Sequence, residues 1–122
     1  MDLKIILWIF IIMHTNTNKY IEPLNVGFTI YSKSGCIMCS KVKNLLTEKF
    51  LFFEVVDCDE YLLEDKEDFL SFMEKKIGSP YKQFPMVFSD GVFIGGYNET
   101  RDALPKLLLD FTLYWLKNGV IM

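Results

Sequence analysis

Apolar positions along the chain alternate between strand-like and helix-like spacing. Val26 to Ser32 (VGFTIYS) is a short run with the β-rich composition of a buried strand. After it, Met38, Val42, Leu45 and Leu46 recur at helical spacing, with Lys41, Lys43, Asn44, Glu48 and Lys49 on the other face. Phe50 to Asp57 (FLFFEVVD) predicts a second strand. Phe69, Phe72, Met73 and Ile77 predict a second helix, with Gly78 as its C-terminal cap. Met86 to Ser89 and Val92 to Ile94 flank Asp90-Gly91, a hairpin turn sequence. Leu104, Leu107, Leu108, Phe111 and Trp115 mark a final amphipathic helix, and Pro105 is expected at a break or in a first turn there.

The order is therefore β-α-β-α-β-β-α, an α/β chain. A helix joins the first two strands, which predicts a parallel pair with a right-handed crossover. The last two strands form an antiparallel hairpin. The expectation is one mixed four-stranded sheet flanked by helices on both faces, without internal repeats or low-complexity segments. Residues 1–24 read as an apolar N-terminal segment plus a polar linker, 25–118 as the domain and 119–122 as a tail.

Composition narrows the classes. A chain of 122 residues fits one domain, and 51% apolar residues can furnish its core. A net charge of -3 gives no basic face, so nucleic acid is not an expected partner. The seven acids between Asp57 and Asp68 read as a solvated helix start, where carboxylates suit the dipole. Three cysteines are odd and sparse, unlike the dense even sets of small secreted scaffolds. They favour a reducing compartment, hence the cytoplasm.

Ile5 to Met13 complicates that reading. Nine apolar residues are far fewer than the roughly 20 a membrane-spanning helix needs. The length suits a secretory signal, but the charged region is thin and no small-x-small cleavage site follows. The run reads as a docked strand or helix, a weak membrane or secretory segment, or an extension before a start at Met13. Asn98-Glu99-Thr100 is a glycosylation acceptor sequence beside a candidate binding loop, which also favours the cytoplasm.

The candidate chemistry lies in "YSKSGCIMCSK". Cys36 and Cys39 fall at a strand-to-helix junction, where free backbone N–H groups and the positive end of the helix dipole stabilise an anion. Thiols so placed ionise more readily than free cysteine. Cys36 is at or next to the cap. Cys39 is nearly one turn in, on the same side. The spacing suits two-step exchange, in which Cys36 attacks a disulfide sulfur and Cys39 displaces the mixed disulfide. Lys33 adds positive potential. A zinc site needs four ligands, and the further candidates, Cys58 and His14, lie at unhelpful spacing. Cys58 reads as a small apolar residue at a strand end. A structural disulfide and coincidence are the remaining alternatives.

A second element is "KQFPMVF" with "DGVFIGGYNET". Pro85 after Phe84 opens a strand, a position tolerated at an edge or with a cis bond, and leaves the Phe84 backbone free to pair with an extended peptide. Gly95-Gly96 lets backbone approach a ligand closely. Asn98 can cap the next helix, whose N–H groups could receive a carboxylate. A plain turn and cap explains these equally well alone; the Cys pair in the same chain favours the binding reading.

Together these motifs resemble the glutaredoxins, of thioredoxin fold, from about Val26 to Leu116, roughly three-quarters of the chain. "YSKSGCIMC" is similar to that family's Tyr-Ser/Thr-Lys-x-x-Cys-Pro-Tyr-Cys. "QFP" stands where Thr-Val-Pro is usual, and "DGVFIGGYNE" where Asp-Gly-x-x-Ile-Gly-Gly-Cys/Phe-x-Asp is usual. No Trp precedes Cys36, unlike thioredoxins proper. The resemblance implies a thioredoxin-like three-layer fold. It also implies a glutathione-dependent thiol–disulfide oxidoreductase, or thioltransferase, acting on protein disulfides and glutathione mixed disulfides in cell redox homeostasis. Glutathione would be co-substrate, disulfide-containing or glutathionylated proteins would be partners, and the chain would be a monomer.

The resemblance further implies roles. Cys36 would be the nucleophile and Cys39 the resolving thiol. Lys33 would pair with the glycine carboxylate of glutathione, and Gln83 occupies the usual Thr position of the same groove. The Phe84 backbone, held by Pro85, would pair with the cysteinyl part. Gly96 and the amides of Tyr97 and Asn98, with the side chain of Asn98 or Glu99, would hold the γ-glutamyl end. Ile37 and Met38 depart from the usual Pro-Tyr, and Asn98 from the usual Asp. Two extra residues lie around Ser79 to Lys82. Loss of the Pro is compatible with an alternative, a [2Fe–2S] cluster held through Cys36 and glutathione by a dimer. A third reading is an interaction module with an apolar rim of Phe84, Phe93 and Tyr97.

Overall fold

The computed structural model describes residues 19–117. The expectations for Ile5–Met13, His14 and the 119–122 tail lie outside the described residues. Strands β1 (Phe28–Ser32), β2 (Phe53–Asp57), β3 (Met86–Ser89) and β4 (Val92–Gly95) and helices α1 (Ile37–Glu48), α2 (Asp59–Ile77) and α3 (Tyr97–Lys117) follow in the expected order, β1-α1-β2-α2-β3-β4-α3. The sheet runs β2-β1-β3-β4. The β1–β2 pair is parallel, while β3 is antiparallel to both β1 and β4.

β1 is central, and all five of its residues are buried, including the polar Thr29 and Ser32. Its side chains divide between two core layers. Phe28 and Ile30 pack with Val42, Leu46, Val87 and Leu104 beneath α1 and α3. Tyr31 packs with Val56, Phe69, Met73, Met86 and Phe88 beneath α2. Each large apolar side chain so buried contributes about 1.5–3 kcal/mol. The result is the three-layer α/β arrangement of the thioredoxin-like fold.

Boundaries differ from the apolar pattern where backbone groups find other partners. Phe50 to Phe52 are not strand. The amides of Phe50 and Leu51 donate to Thr47 O and Leu46 O at 3.0 Å each, closing α1, and Phe50 takes φ 57. β1 starts at Phe28 because Gly27 is bound to the hairpin turn. Its N–H donates to Asp90 Oδ1 at 2.6 Å, and its carbonyl accepts from Asp90 N at 2.9 Å. Pro105 lies inside α3 rather than at a break. The acidic stretch does start a helix, but α2 kinks at Asp65 (φ -157, ψ 85), whose Oδ1 accepts from Asp68 N at 3.1 Å and so caps the second half. Gly78 closes α2 in the left-handed region, as expected.

Tyr20 also departs from the sequence reading, which places it in a linker. It is 6% exposed. Its ring meets Tyr61, Phe72 and Phe69 at centroid distances of 4.9, 5.1 and 5.2 Å. Its hydroxyl donates to Asp68. Three more contacts stitch the segment down: Tyr31 OH donates to Ile21 O, Lys76 pairs with Glu22, and Leu24 N donates to Thr29 Oγ1. Among the described residues, no helix is long and apolar enough to cross a membrane.

Candidate active site

β1 ends at Ser32, and Lys33 to Gly35 turn the chain into α1, with Gly35 at φ 70. Cys36 is the N-cap of α1, in extended conformation (φ -104, ψ 108), so its side chain faces the open amides of the first turn. The Cys39 N–H donates to Cys36 Sγ at 3.2 Å. That sulfur thus faces the first-turn amides at the N-terminal end of α1. Cys36 is partly exposed and Cys39 is 1% exposed, and all three cysteines are free thiols. Burial pushes the Cys39 thiol above its ordinary value, reinforced by the Cys36 sulfur; the Lys33 backbone and the Ser32 side chain oppose the rise. One accessible sulfur and one withheld sulfur is the asymmetry that sequential exchange needs.

The second candidate element faces the first. The Phe84–Pro85 bond is cis. Phe84 O lies 3.6 Å from Cys36 Sγ. Lys33 Nζ stands 5.5 Å from the centroid of the Phe84 ring. Lys33, Cys36 and Phe84 therefore share one corner. A shallow depression of about 380 Å³ extends from it, lined by Lys33, Cys36, Ile37, Ser40 and Lys43 among others. Ile37 is 72% and Met38 41% exposed, which leaves an apolar collar beside the Cys36 sulfur.

Opposite, the β3–β4 ladder shifts register between Val87 and Phe88, so Gly95 pairs with Val87 across a bulge. Gly95 takes φ 136, and a Cβ there would meet Glu99 Cβ and Cγ at 2.8 Å. The space above Gly96 is bounded by Pro85 O and Tyr81 OH, each 3.6 Å from where a Cβ would sit. α3 begins at Tyr97, so Asn98 is not its cap but lies in the exposed first turn. Gly96 precedes the helix, and its carbonyl accepts from the N–H of Thr100 at 3.1 Å and its hydroxyl at 2.8 Å. The Tyr97 ring sits between Lys41 and Arg101, each 5.8 Å from its centroid. Gln83 and Glu99 are exposed.

Cys58 is fully buried at the α2 cap, and burial, with Asp57, Asp59 and Cys39 nearby, pushes its thiol up to about 12. It is an inert core thiol. Sequence reasoning missed Ser34, Asp59 and Tyr81. Asp59 was one acid among seven, and no local signal separates it from its neighbours.

The chain is similar to known proteins in sequence and in fold. The family model described as Glutaredoxin matches residues 28–94. Glutaredoxin 1 of Rickettsia felis is 34% identical over 84 residues, 65% of this chain and 78% of that protein. Mitochondrial Glutaredoxin-2 of Bos taurus is 34% identical over 72 residues, 59% of this chain and 43% of that protein. The crystal structure of Glutaredoxin 1 from Francisella tularensis, complexed with cacodylate, superposes with a TM-score of 0.59 at 28% identity, covering 66% of this chain and 94% of that one. The buckwheat glutaredoxin–glutathione complex shares the fold, with a TM-score of 0.54 at 23% identity, covering 66% of this chain and 69% of that one.

Sheet order and thiol pair together define a thiol oxidoreductase of the thioredoxin-like fold. Within that class the chain belongs to the glutaredoxin family.

Proposed function

We propose that the protein is a dithiol glutaredoxin that reduces protein disulfides and glutathione mixed disulfides at the expense of glutathione. The observation that carries this reading is the accessible Cys36 sulfur, which receives the Cys39 N–H at 3.2 Å and lies 3.6 Å from Phe84 O. A thiolate there has a donor behind it and a backbone edge beside it for an extended peptide.

In the reading proposed, the Cys36 thiolate attacks the glutathione sulfur of a mixed disulfide. A Cys36–glutathione disulfide forms, and the protein thiolate leaves and takes a proton. A second glutathione thiolate then attacks the glutathione sulfur, releasing glutathione disulfide and restoring Cys36. For a protein disulfide, Cys36 first joins one client sulfur. Cys39 loses its proton, attacks Cys36 Sγ and releases the client dithiol. Two glutathiones return the Cys36–Cys39 disulfide to thiols. Lys33 holds the glycine carboxylate, and the Phe84 backbone, set by Pro85, pairs with the cysteinyl residue. Gly96 and the amides of Tyr97 and Asn98 receive the γ-glutamyl carboxylate, the side chain of Asn98 or Glu99 takes its ammonium group, and Gln83 borders the groove. The sparse cysteine set supports a cytoplasmic setting.

A [2Fe–2S] cluster fits this chain only in part. Among the described residues, no three His, Cys, Asp or Glu side chains are grouped to hold a metal, and Cys39 is buried. The chain would supply Cys36 alone, with the remaining ligands coming from glutathione and a second subunit.

The deciding experiment is glutathione-coupled reduction of hydroxyethyl disulfide by wild type, Cys36→Ser and Cys39→Ser. Turnover by wild type that vanishes in Cys36→Ser supports the proposal; full activity in Cys36→Ser overturns it.

A further inference from the structure

Behind the cysteine loop lies an acid that the exchange chemistry does not use. Asp59 is the first residue of α2. Its carboxylate grips a single residue of the loop: the Ser34 N–H donates to Oδ1 at 2.9 Å, and the Ser34 hydroxyl donates to Oδ2. Asp59 is itself braced, its N–H donating to Asp57 Oδ1 at 3.0 Å. One step along, the Cys58 N–H donates to Ser32 O at 2.9 Å. A run of hydrogen bonds thus ties residues 32–34 to 57–59, across the ends of β1 and β2. The two bonds from Ser34, with Lys33 nearby, hold the Asp59 carboxyl below the usual carboxylate range, so the grip is that of an anion.

The loop's outer residues have further ties, the Lys33 backbone to the Cys39 thiol and Cys36 Sγ to the Cys39 N–H. Gly35, between Ser34 and Cys36, takes φ 70 and has no neighbouring atom within 4 Å of a Cβ position. Lys33 and Cys36 flank this open turn, and both face Phe84. Their relative placement therefore depends on how firmly Ser34 is held.

We propose that Asp59 is a positioning residue for thiol exchange: by clasping Ser34 from α2 it sets Cys36 against the α1 amides and Lys33 against Phe84. The inference rests on the glutaredoxin reading for its substrate, but the placement of Cys36 is testable without glutathione. Asp59 supplies both the clasp on Ser34 and a negative charge, and the two can be removed separately. Removing the charge while keeping the clasp, and removing both, must therefore give different results.

The test compares Asp59→Ala, Asp59→Asn, Ser34→Ala and the Ser34→Ala/Asp59→Ala pair. It reads the rate of Cys36 alkylation by iodoacetamide at neutral pH, KM and kcat with a glutathione mixed disulfide, and Tm. Asp59→Ala is expected to slow alkylation several-fold and to raise KM for the glutathione mixed disulfide. Asp59→Asn keeps an acceptor for Ser34 and is expected to alkylate as fast as wild type or faster. Ser34→Ala, which keeps the backbone bond, is expected to fall between them. The double variant should be no slower than Asp59→Ala, because Asp59→Ala already removes the hydroxyl bond that Ser34→Ala removes. Equal acceleration in Asp59→Ala and Asp59→Asn would show a charge effect alone and overturn the proposal. So would a lowered Tm with wild-type rates. If Asp59→Ala does not fold, Ser34→Ala alkylating as fast as Asp59→Asn overturns it. Absent glutathione turnover in wild type would defeat the functional reading while leaving the alkylation comparison intact.

Discussion

Replacing Tyr20 with alanine should destabilise the domain substantially, although the residue precedes the stretch that the apolar pattern marks as domain. The side chain is 6% exposed and lies among Tyr61, Phe69 and Phe72 at ring distances of 4.9–5.2 Å. Truncating a buried aromatic to alanine costs about 3–5 kcal/mol. The hydroxyl bond to Asp68 adds less, because the Asp68 side chain is 54% exposed and rehydrates when the phenol is lost. Tyr20→Phe should therefore cost about 0.5–1.5 kcal/mol. Tyr20→Ala should cost about 3–4 kcal/mol, at the low end because the ring is not fully enclosed. For a domain of this size each kcal/mol moves Tm by about 4–8 °C, so Tyr20→Ala should melt at least ~12 °C below wild type. Urea unfolding followed by far-ultraviolet circular dichroism measures both variants, with an unchanged m-value confirming a common transition. A Tyr20→Ala protein within about 1 kcal/mol of wild type would refute the placement of residues 20–24 on the core.

The same phenol gives a pH dependence. Burial, then the hydrogen bond from its hydroxyl to Asp68, raises Tyr20 to about 12 from an ordinary value of 10.0. A raised acid stabilises the fold in its protonated form. Its contribution is therefore complete below pH 10 and is lost as pH climbs through about 12. Tyr20→Phe should flatten that alkaline limb in unfolding measured from neutral to high pH, and an unchanged limb counts against the placement. Gly95→Ala should lose about 1–3 kcal/mol, since φ 136 strains any L residue and the new Cβ would meet Glu99 at 2.8 Å; a wild-type Tm contradicts this. Lys33→Ala should raise KM for a glutathione mixed disulfide several-fold with kcat little changed, as expected for an exposed charge that binds the ground state and transition state alike. Asn98→Asp, which adds a carboxylate in the first turn of α3, should lower that KM by roughly two- to five-fold; an unchanged value argues against an ammonium group at that place.

Much of the fold was legible because its signals are local. The five buried residues of β1 lie in one β-rich run, Asp90-Gly91 announces its turn, and Gly78 closes α2. Misreadings arose where a distant or competing partner decided the outcome. Phe50 to Phe52 look like strand by composition, but the carbonyls of Thr47 and Leu46 take the amides of Phe50 and Leu51. Tyr20 looks like linker because its aromatic partners are about 40 or more residues away. Pro105 reads as a break, yet α3 continues through it on the packing of Leu104 against the sheet. The candidate site divides the same way. Cys36, Cys39, Lys33, Phe84 and Pro85 stand in short motifs, and the structure brings Cys36, Lys33 and Phe84 to one corner. Asp59 carries no signal of its own, because its importance comes only from Ser34, which the crossover places beside it.

The account turns on Cys36 forming a mixed disulfide with glutathione. Incubating Cys39→Ser with glutathione disulfide and mapping the product by mass spectrometry tests this directly. Removing Cys39 blocks its attack on the intermediate, so the adduct accumulates. The predicted result is one glutathione per chain, located on Cys36, reversed by excess glutathione. No adduct, or an adduct on Cys58, would contradict the account.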